Sequence, residues 1–438
     1  MDDTPNEKKF MREKIVKPPV SRRRILRRVL AGVLFAAIFG AVAAASFVLS
    51  RPMAERMFGK ETVPPTIPIT IEKDDDPSVQ TAPVETMVET TAAEIPSEAV
   101  REEVEKYVDR ALEDFPWSVE NLKGLGELVA GIGQNADKSV VTVSSVRQQT
   151  DWFDNPVETT GQYAGMILAV NRNEIVILTT EAALEEADEL RITFGDGTQA
   201  QGTVKQKDTV AKMAAVSVDA ASLGETTKGW IRPVELGNSY SVRAGDLTVA
   251  VGGPAGPVHS VLHGTIPYVA KGVQVTDGQT RVLYVDMDCS IEKGTFFLNL
   301  SGQLIGWATD QFSSENEAGA TLAMAVSEYK GTLQKLINGT QMPYFGVRLR
   351  EVSPSMQEQG IPSGVYITDS LADGPAYQAG IQNGDILTMF GEKQVTSLRA
   401  FTDCLESAQS GDQVEVAVQR KGIDEYKEIR YTVTIGAR

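Results

Sequence analysis

Histidine and cysteine, two residue types that often carry acid–base and nucleophilic chemistry, are scarce in this chain. Its 438 residues include two histidines, His259 and His263, and two cysteines, Cys289 and Cys404. Any mechanism that needs an imidazole must therefore use one of these two histidines. Two cysteines are too few for a disulfide framework or for a cysteine-rich zinc site, so both are excluded.

Three patterns have the spacing of known sites, but the sequence context argues against each. Ser290 and Lys293 match Ser-x-x-Lys, a motif that opens a helix, whereas here it lies in a turn between predicted strands. The two histidines stand four residues apart in a β context, where this spacing does not place both rings on one face. Asp286, Asp288 and Glu292 contain calcium-binding oxygens, but nothing in the sequence fixes their geometry. We predict no metal and no cofactor.

The charge balance argues against a nucleic-acid partner. Lys plus Arg number 42 against 59 Asp plus Glu, which gives a net charge of −17 and a pI of about 4.8. Affinity for phosphate backbones comes largely from cationic patches, which such an acidic chain lacks overall. The hydrophobic fraction of 42% is ordinary for folded proteins, and the length predicts two or three domains.

The N-terminal part has the charge pattern of a membrane anchor. Residues 1–28 carry ten Lys or Arg against four acids, and an uncharged apolar run of 21 residues follows over 29–49. A helix of this length spans roughly the 30 Å hydrocarbon core of a bilayer. The alternative is a cleaved signal peptide, whose apolar core is usually shorter, about 7 to 15 residues. We predict a single-pass helix in the cell membrane, with a cytoplasmic N-terminus and extracytoplasmic folded domains.

An acidic stretch follows the predicted anchor. Residues 50–96 are rich in Pro, Thr and Glu, which predicts a solvated, disordered tether. Ser97 has the features of a helix N-cap, and apolar residues recur at helical spacing from Val100 to Leu112. We predict an amphipathic helix over 97–116 that packs on the next domain or on a copy of itself.

Two folded regions are predicted after this helix, over 117–340 and 341–438. In the first, short apolar runs separated by turn signals predict a mainly β barrel or sandwich. Its predicted strands are Ser139–Val146, Tyr163–Val170, Glu174–Thr179, Leu190–Phe194, Leu247–Val251, Val282–Val285 and Gln303–Trp307, followed by a helix over Ser327–Ile337. The second region has a mixed α/β pattern. A strand is predicted over Phe345–Leu349, and helices over 374–379 and Ser397–Ala408.

Several motifs of the second region occur together in one known kind of domain. They are Tyr344-Phe345-Gly346-Val347, the stretch 362–367, the stretch 373–381 and Gly384-Asp385 at the start of a strand. In this order they resemble the PDZ domains that follow the protease domain in HtrA/DegP-type proteins. The resemblance implies that Tyr344, Phe345, Gly346 and Val347 form a carboxylate-binding loop for peptide C-termini or unfolded segments.

Elementary chemistry supports a peptide groove at this place. A glycine in a loop before an exposed strand edge lets backbone N–H groups converge on a carboxylate, and the edge then accepts a peptide as an added strand. Leu398, Phe401 and Leu405 have the helical spacing to line a groove for an apolar C-terminal side chain. Each of the three is equally well explained as a core residue.

The first region resembles the trypsin-like protease domain of the same family, which implies a double β-barrel. The resemblance rests on stretches 177–184, 208–216 and 291–296, with Gly302-Gln303-Leu304-Ile305-Gly306 after the last one. The family's catalytic His, Asp and Ser positions fall on Ala182, Lys212 and Lys293. The catalytic triad is therefore replaced at each of its three positions.

The replacements remove the chemistry of peptide hydrolysis by a triad. A serine hydroxyl needs a neighbouring base to take its proton, and that base needs a third group to orient it. Ala182 accepts no proton, Lys212 places a cation where an anion is required, and Lys293 has no hydroxyl. Thr295 and Phe296 also alter the turn that supplies the oxyanion hole.

The leading hypothesis is an HtrA-like pseudoprotease: a membrane-anchored, extracytoplasmic protein whose PDZ domain binds peptides. It would act as a scaffold or regulator in envelope protein quality control. Two alternatives stay open. One is an active HtrA-type serine endopeptidase that degrades misfolded proteins, and the other is a structural, oligomerising interaction protein. The family's trimeric protease domains imply a homotrimer by resemblance.

Overall fold

The computed structural model describes residues 68–75, 119–150, 156–185, 187–312, 319–423 and 425–438. The predicted basic segment, the predicted membrane helix and the predicted amphipathic helix over 97–116 lie outside these residues. Among the helices that are described, none has the length and apolar character needed to cross a membrane. All the described residues belong to one structural unit, Pro68–Arg438.

The first six strands close an antiparallel barrel. They are β1 (Val140–Thr150), β2 (Pro156–Val170), β3 (Glu174–Thr180), β4 (Glu189–Phe194), β5 (Gln199–Asp208) and β6 (Met213–Asp219). Their order is β1-β2-β3-β6-β5-β4, and β4 pairs with β1 to close the ring. Alternate residues of β4, Leu190, Ile192 and Phe194, are buried because successive side chains of a strand point to opposite faces. The sequence pattern does not indicate β5, whose residues are mostly polar and not buried.

Seven further strands form a second antiparallel sheet. They are β7 (Leu247–Gly252), β8 (Ser260–Thr265), β9 (Tyr268–Val275), β10 (Gly278–Val285), β11 (Thr295–Leu298), β12 (Leu304–Ala308) and β13 (Thr321–Ala325). Their order is β8-β7-β11-β12-β13-β10-β9, with β8 and β9 at the two ends. The described ladder is therefore open, where the resemblance implies a second closed barrel. The turn of the β9–β10 hairpin bonds to the C-terminal domain: the Asp277 N–H donates to the Val347 carbonyl at 2.7 Å.

Three helices accompany the barrel and the sheet. They are α1 (Val119–Ala136), α2 (Glu225–Trp230) and α3 (Lys330–Ile337). The helix predicted over Ser327–Ile337 is confirmed, since α3 follows directly on a 3-10 turn at Ser327–Tyr329. Helix α1 was not predicted, because its sequence contains four glycines, a content that is typical of a loop. It packs through Val129 and Ile132 on the core that the barrel and the sheet share.

The C-terminal domain is a small α/β fold. Its strands are β14 (Pro343–Tyr344), β15 (Val347–Glu351), β16 (Val365–Ser370), β17 (Ile386–Phe390), β18 (Lys393–Gln394), β19 (Gln413–Lys421), β20 (Tyr426–Thr434) and β21 (Gly436–Ala437). Its helices are α4 (Pro354–Glu358), α5 (Pro375–Ala379) and α6 (Leu398–Ser407). The main sheet has the order β15-β16-β17-β19-β20, so β15 is an edge strand. The predicted helix over Ser397–Ala408 is confirmed as α6, because the Ser397 side chain caps it at the Ala400 N–H.

Part of the predicted tether is ordered, which corrects the sequence-based expectation for residues 68–75. The Ile69 N–H donates to Asn338 Oδ1 and the Ile71 N–H to Gln334 Oε1, both at 2.9 Å. Ile69 and Ile71 also pack on the core beside α3. The physical reason is an alternation of isoleucine with other residues, which gives this short stretch one apolar face within an otherwise polar segment.

Candidate functional site

The structure brings Ala182, Lys212 and Lys293, which the resemblance aligns with the triad, close together, and we call the place where they meet the cleft. The Glu181 N–H, next to Ala182, donates to the Lys212 carbonyl at 2.9 Å. The Thr180 hydroxyl donates to the carbonyl of Glu292, which precedes Lys293, at 3.3 Å. These two hydrogen bonds join the end of β3, the start of β6 and the turn before β11. The cleft therefore lies where the barrel meets the second sheet.

The side chains of Ala182, Lys212 and Lys293 include no imidazole, no carboxylate and no hydroxyl. Ala182 lies half-buried in a 3-10 turn. The Lys212 Nζ is 2.7 Å from Asp310 Oδ1, and both side chains are about half exposed. The Lys293 Nζ lies 4.7 Å from the centre of the Tyr163 ring and 3.7 Å from Glu292 Oε1. Lys293, which the resemblance aligns with the family's nucleophile, is thus held by ordinary charge and cation–π contacts.

The main chain around Lys293 is tightly bound to its neighbours. The Ala164 N–H donates to the Lys293 carbonyl at 2.7 Å, and the Gly253 N–H donates to the Gly294 carbonyl at 2.8 Å. Gly294 has a φ of 85°, a conformation that favours glycine. Ser290 and Lys293 lie in this turn, as predicted, and not at the start of a helix. The Ser-x-x-Lys motif therefore lies in a turn, whereas enzymes that use this motif have it at the start of a helix.

The two histidines have separate surroundings. His259 is bonded on both ring nitrogens: Nδ1 lies 2.6 Å from Asp137 Oδ1 and Nε2 lies 3.3 Å from Thr142 Oγ1. His263 lies on β8, where it pairs with Val249 of β7. The sequence did not predict the His259 contacts, because its partners stand more than a hundred positions away and carry no motif.

The predicted carboxylate-binding loop holds a carboxylate in the structure. The N–H groups of Phe345, Gly346 and Val347 donate to the Asp277 side chain at 2.9, 2.8 and 3.0 Å. Gly346 has a φ of 83°, and a Cβ at this position would lie 2.9 Å from the Gly374 Cα. Only glycine fits this bend without displacing the main chain, and the bend is what turns the N–H groups of the loop toward the carboxylate.

The three predicted groove residues of α6 all belong to the buried core of the domain, and two of them also line a cavity. Leu398 and Leu405 line a cavity of about 180 Å³ next to Asp277. Phe401 is fully buried, and its ring packs on Phe345 and on Phe390 with centroids 5.6 and 6.0 Å apart. Its place is therefore the core of the domain. Tyr344 lies on β14 at the entrance to the loop and is partly exposed.

A buried cation accompanies the Asp277 carboxylate. Arg438 Nη2 is 3.9 Å from Asp277 Oδ2, and Arg438 Nη1 is 3.7 Å from Asp208 Oδ1. Burial raises the pKa of Asp277, while Arg438 and the three loop N–H groups act in the opposite direction. Asp208 stands four residues before Lys212 in the sequence. Because Arg438 lies near both Asp208 and Asp277, it connects the carboxylate-binding loop to the segment that leads to Lys212.

A closed β-barrel packed on a second β-sheet, with a PDZ-like domain behind it, defines a trypsin-like peptidase fold with a peptide-binding module. Family models agree: that of a trypsin-like peptidase domain matches residues 164–306, and that of a PDZ domain matches residues 343–430. The solved structure titled HtrA-type protease AlgW with decapeptide aligns with a TM-score of 0.51 at 18% identity, over 71% of this chain and 98% of that one. This likeness concerns the fold.

Curated relatives give the same answer at the level of sequence. The serine protease Do-like HtrA of Bacillus subtilis is 24% identical over 62% of this chain and 63% of its own length. The probable periplasmic serine endoprotease DegP-like of Halomonas elongata is 28% identical over 59% of this chain and 54% of its own length. The chain thus spans a little over half to about two thirds of these relatives. With its paired domains, it is an HtrA-family protein.

Proposed function

We propose that this protein is a membrane-anchored, extracytoplasmic HtrA-like pseudoprotease. In this proposal its PDZ domain binds peptide C-termini or unfolded segments, and the protein acts as a scaffold or regulator in envelope protein quality control. The observation that carries the proposal is the cleft in which Ala182, Lys212 and Lys293 stand at the triad positions and lie close together. A cleft with this composition has no proton relay for acyl transfer.

The carboxylate loop supports the binding half of the proposal. Three backbone N–H groups converge on one carboxylate, which is the chemistry that recognises a peptide C-terminus. The strand that follows the loop, β15, is at the edge of its sheet, which is where a peptide can be added as a strand. A binding function needs these features alone, and it is independent of the lost triad.

The location in the cell envelope is supported by the sequence and by the relatives. The basic segment over 1–28 precedes the apolar run, which favours export of the folded domains. The Halomonas elongata relative carries the name probable periplasmic serine endoprotease DegP-like. Both features agree with a protein anchored in the cytoplasmic membrane that acts on its outer side.

One observation favours a second candidate function, hydrolysis. Thr142, His259 and Asp137 form a hydroxyl–imidazole–carboxylate chain, the same order of groups as in a serine protease triad. The setting differs, however, because Thr142 lies within β1, directly opposite Ala164 of β2. Nucleophiles of this kind lie on turns whose N–H groups stabilise the oxyanion. We therefore assign this network a structural role, in which it clamps the turn before β8 onto β1.

Casein cleavage and fluorophosphonate labelling of the purified full chain test both candidates. We expect no cleavage above that of a His259→Ala variant and no covalent labelling, because the cleft has no activated hydroxyl. Cleavage that persists in the wild type and disappears in His259→Ala would contradict the pseudoprotease proposal. Labelling that is lost in Thr142→Val would establish the second candidate, because valine keeps the shape of threonine and removes its hydroxyl.

A further inference from the structure

We infer that the PDZ domain carries its own ligand: the side-chain carboxylate of Asp277 occupies the carboxylate-binding loop, and an external peptide C-terminus binds only after this side chain is displaced. The inference deepens the proposed function and rests on it, because it concerns the regulation of the same groove. It follows from the contacts of the β9–β10 turn with the C-terminal domain.

Asp277 makes the contacts that the last residue of a bound peptide would make. A peptide that adds to a strand edge exchanges main-chain hydrogen bonds with it and ends with its carboxylate among the loop N–H groups. The Asp277 carboxylate accepts from Phe345, Gly346 and Val347, and its own N–H donates to the Val347 carbonyl at 2.7 Å. Both kinds of contact therefore come from one residue.

The backbone conformation explains how a residue within the chain can replace a chain end. Asp277 has a φ of 62°, in the left-handed region that aspartate and asparagine enter more readily than most residues. This turn lets the main chain continue into β10 while the side chain supplies the carboxylate. Asp277 is 3% exposed, so its carboxylate is withdrawn from solvent by the loop.

The turn also lies between the edge strand and helix α6. On one side, Asp277 is bonded to β15 through Val347. On the other side, Gly278 lines the same cavity as Leu398, Thr402 and Leu405 of α6. A peptide added as a strand would need this space. The turn and an external peptide therefore exclude each other.

Further contacts hold the turn in this position. Arg438 donates to the Thr276 carbonyl at 3.2 Å and lies near the Asp277 carboxylate. The Thr368 hydroxyl, on β16, donates to Gln274 Oε1 at 3.3 Å. A buried carboxylate is stable only when it is hydrogen-bonded and paired with a cation, and Asp277 has both. The closed arrangement is thus favourable for the chain itself.

The inference predicts the size of the effect on binding. A ligand that binds only the open form has its apparent affinity reduced by the fraction of open molecules. Minor states in two-state equilibria commonly hold about 0.1 to 10% of the population. Removal of the Asp277 carboxylate should therefore raise the affinity for external C-termini by about tenfold or more.

The experiment compares the wild-type full chain with Asp277→Ala, and with Asp277→Asn as the variant closest in shape. The probes are fluorescein-labelled decapeptides rich in Gly and Ser that end in Leu, Val or Phe, each with a free or an amidated C-terminus. Fluorescence anisotropy gives the dissociation constants. Hydrogen exchange at the amides of residues 345–347 reports occupancy of the loop without any peptide.

Asp246→Asn is the matched control. Asp246 also accepts a backbone N–H, that of Arg243 at 2.8 Å, but it does so in an exposed turn.

We expect the Asp277 variants to bind the free-acid peptides at least about tenfold more tightly than the wild type and Asp246→Asn, and to exchange the loop amides faster. Equal affinity in all proteins would overturn the self-ligand inference and leave peptide binding intact. Binding by none of them would contradict the proposed function, and exchange then decides the inference alone: faster exchange only in the Asp277 variants supports it, and unchanged exchange overturns it.

Discussion

Arg420 shows how a single residue can stabilise a buried carboxylate in the PDZ domain, that of Asp385. Its Nε and Nη2 atoms each lie 2.7 Å from an oxygen of Asp385, a bidentate contact with a carboxylate that is 1% exposed. Arg420 also donates to the Gly380 carbonyl at 3.0 Å, at the end of helix α5. One guanidinium therefore neutralises the Gly-Asp turn and fixes the helix before it.

Replacing Arg420 tests this role. Arg420→Ala leaves the buried Asp385 carboxylate without its cation, so we expect the free energy of unfolding to fall by about 3 kcal/mol. Urea denaturation followed by circular dichroism measures the change. Arg430→Ala is the control, since Arg430 pairs with Glu415 and Glu428 on an exposed surface and its removal should have little effect. Equal losses in the two variants would contradict the assignment.

The carboxylate-binding loop holds a carboxylate because the main chain over residues 345–347 bends so that three N–H groups point to one place. The strand predicted to begin at Phe345 begins at Val347, because Phe345 and Gly346 turn their N–H groups toward the Asp277 carboxylate. The left-handed conformation of Gly346 produces this convergence. The loop's binding chemistry is therefore a property of its main chain.

A methyl group at Gly346 should therefore disturb the loop and weaken peptide binding. In the Asp277→Ala background, Gly346→Ala should weaken free-acid peptide binding by at least about tenfold, because the added Cβ would lie 2.9 Å from the Gly374 Cα and displace the loop. Gly360→Ala is the matched control: Gly360 has a similar φ of 84°, and its Cβ would have nothing within 4 Å. Anisotropy with the same decapeptides measures both variants. Similar losses in the two would show that general destabilisation, and not loop geometry, causes the effect.

At the scale of the whole molecule, the 68–75 segment connects the two folded domains. Asp74 lies 2.8 Å from the Lys330 Nζ and accepts the Ser327 hydroxyl at 2.6 Å, at the start of α3. The neighbouring Lys73 Nζ lies 2.6 Å from Glu406 of the PDZ helix α6. A segment with the composition of a tether thus contacts both α3 of the first folded region and α6 of the PDZ domain.

The buried pair of this segment gives a prediction for the whole fold. Asp74→Ala leaves the Lys330 ammonium, whose side chain is 7% exposed, without its carboxylate, and we expect a loss of about 3 kcal/mol in the free energy of unfolding. Chemical denaturation measures it, with Asp75→Ala as the control because Asp75 is adjacent and exposed. An unchanged midpoint in Asp74→Ala would mean that the segment does not stabilise the folded domains.

Local patterns in the sequence were sufficient for much of the fold. Helix α6 and most predicted strands are confirmed, because an apolar periodicity and a capping serine are encoded within about ten neighbouring residues. Helix α1 and strand β5 were missed, since glycine content and polar residues hide elements that packing stabilises. The order at residues 68–75 was missed because it depends on the amide side chains of Gln334 in α3 and of Asn338 at its C-terminal end, more than 260 positions away.

The sequence by itself determined the domain order, the family resemblance and the identity of the residues at Ala182, Lys212 and Lys293, because these depend on residue types in short motifs. The tertiary structure alone decided which distant residues meet. Asp277 lies about seventy positions before the loop that binds it, and His259 more than a hundred positions after its partners. Such contacts arise from the packing of whole elements, which no local pattern of residues records.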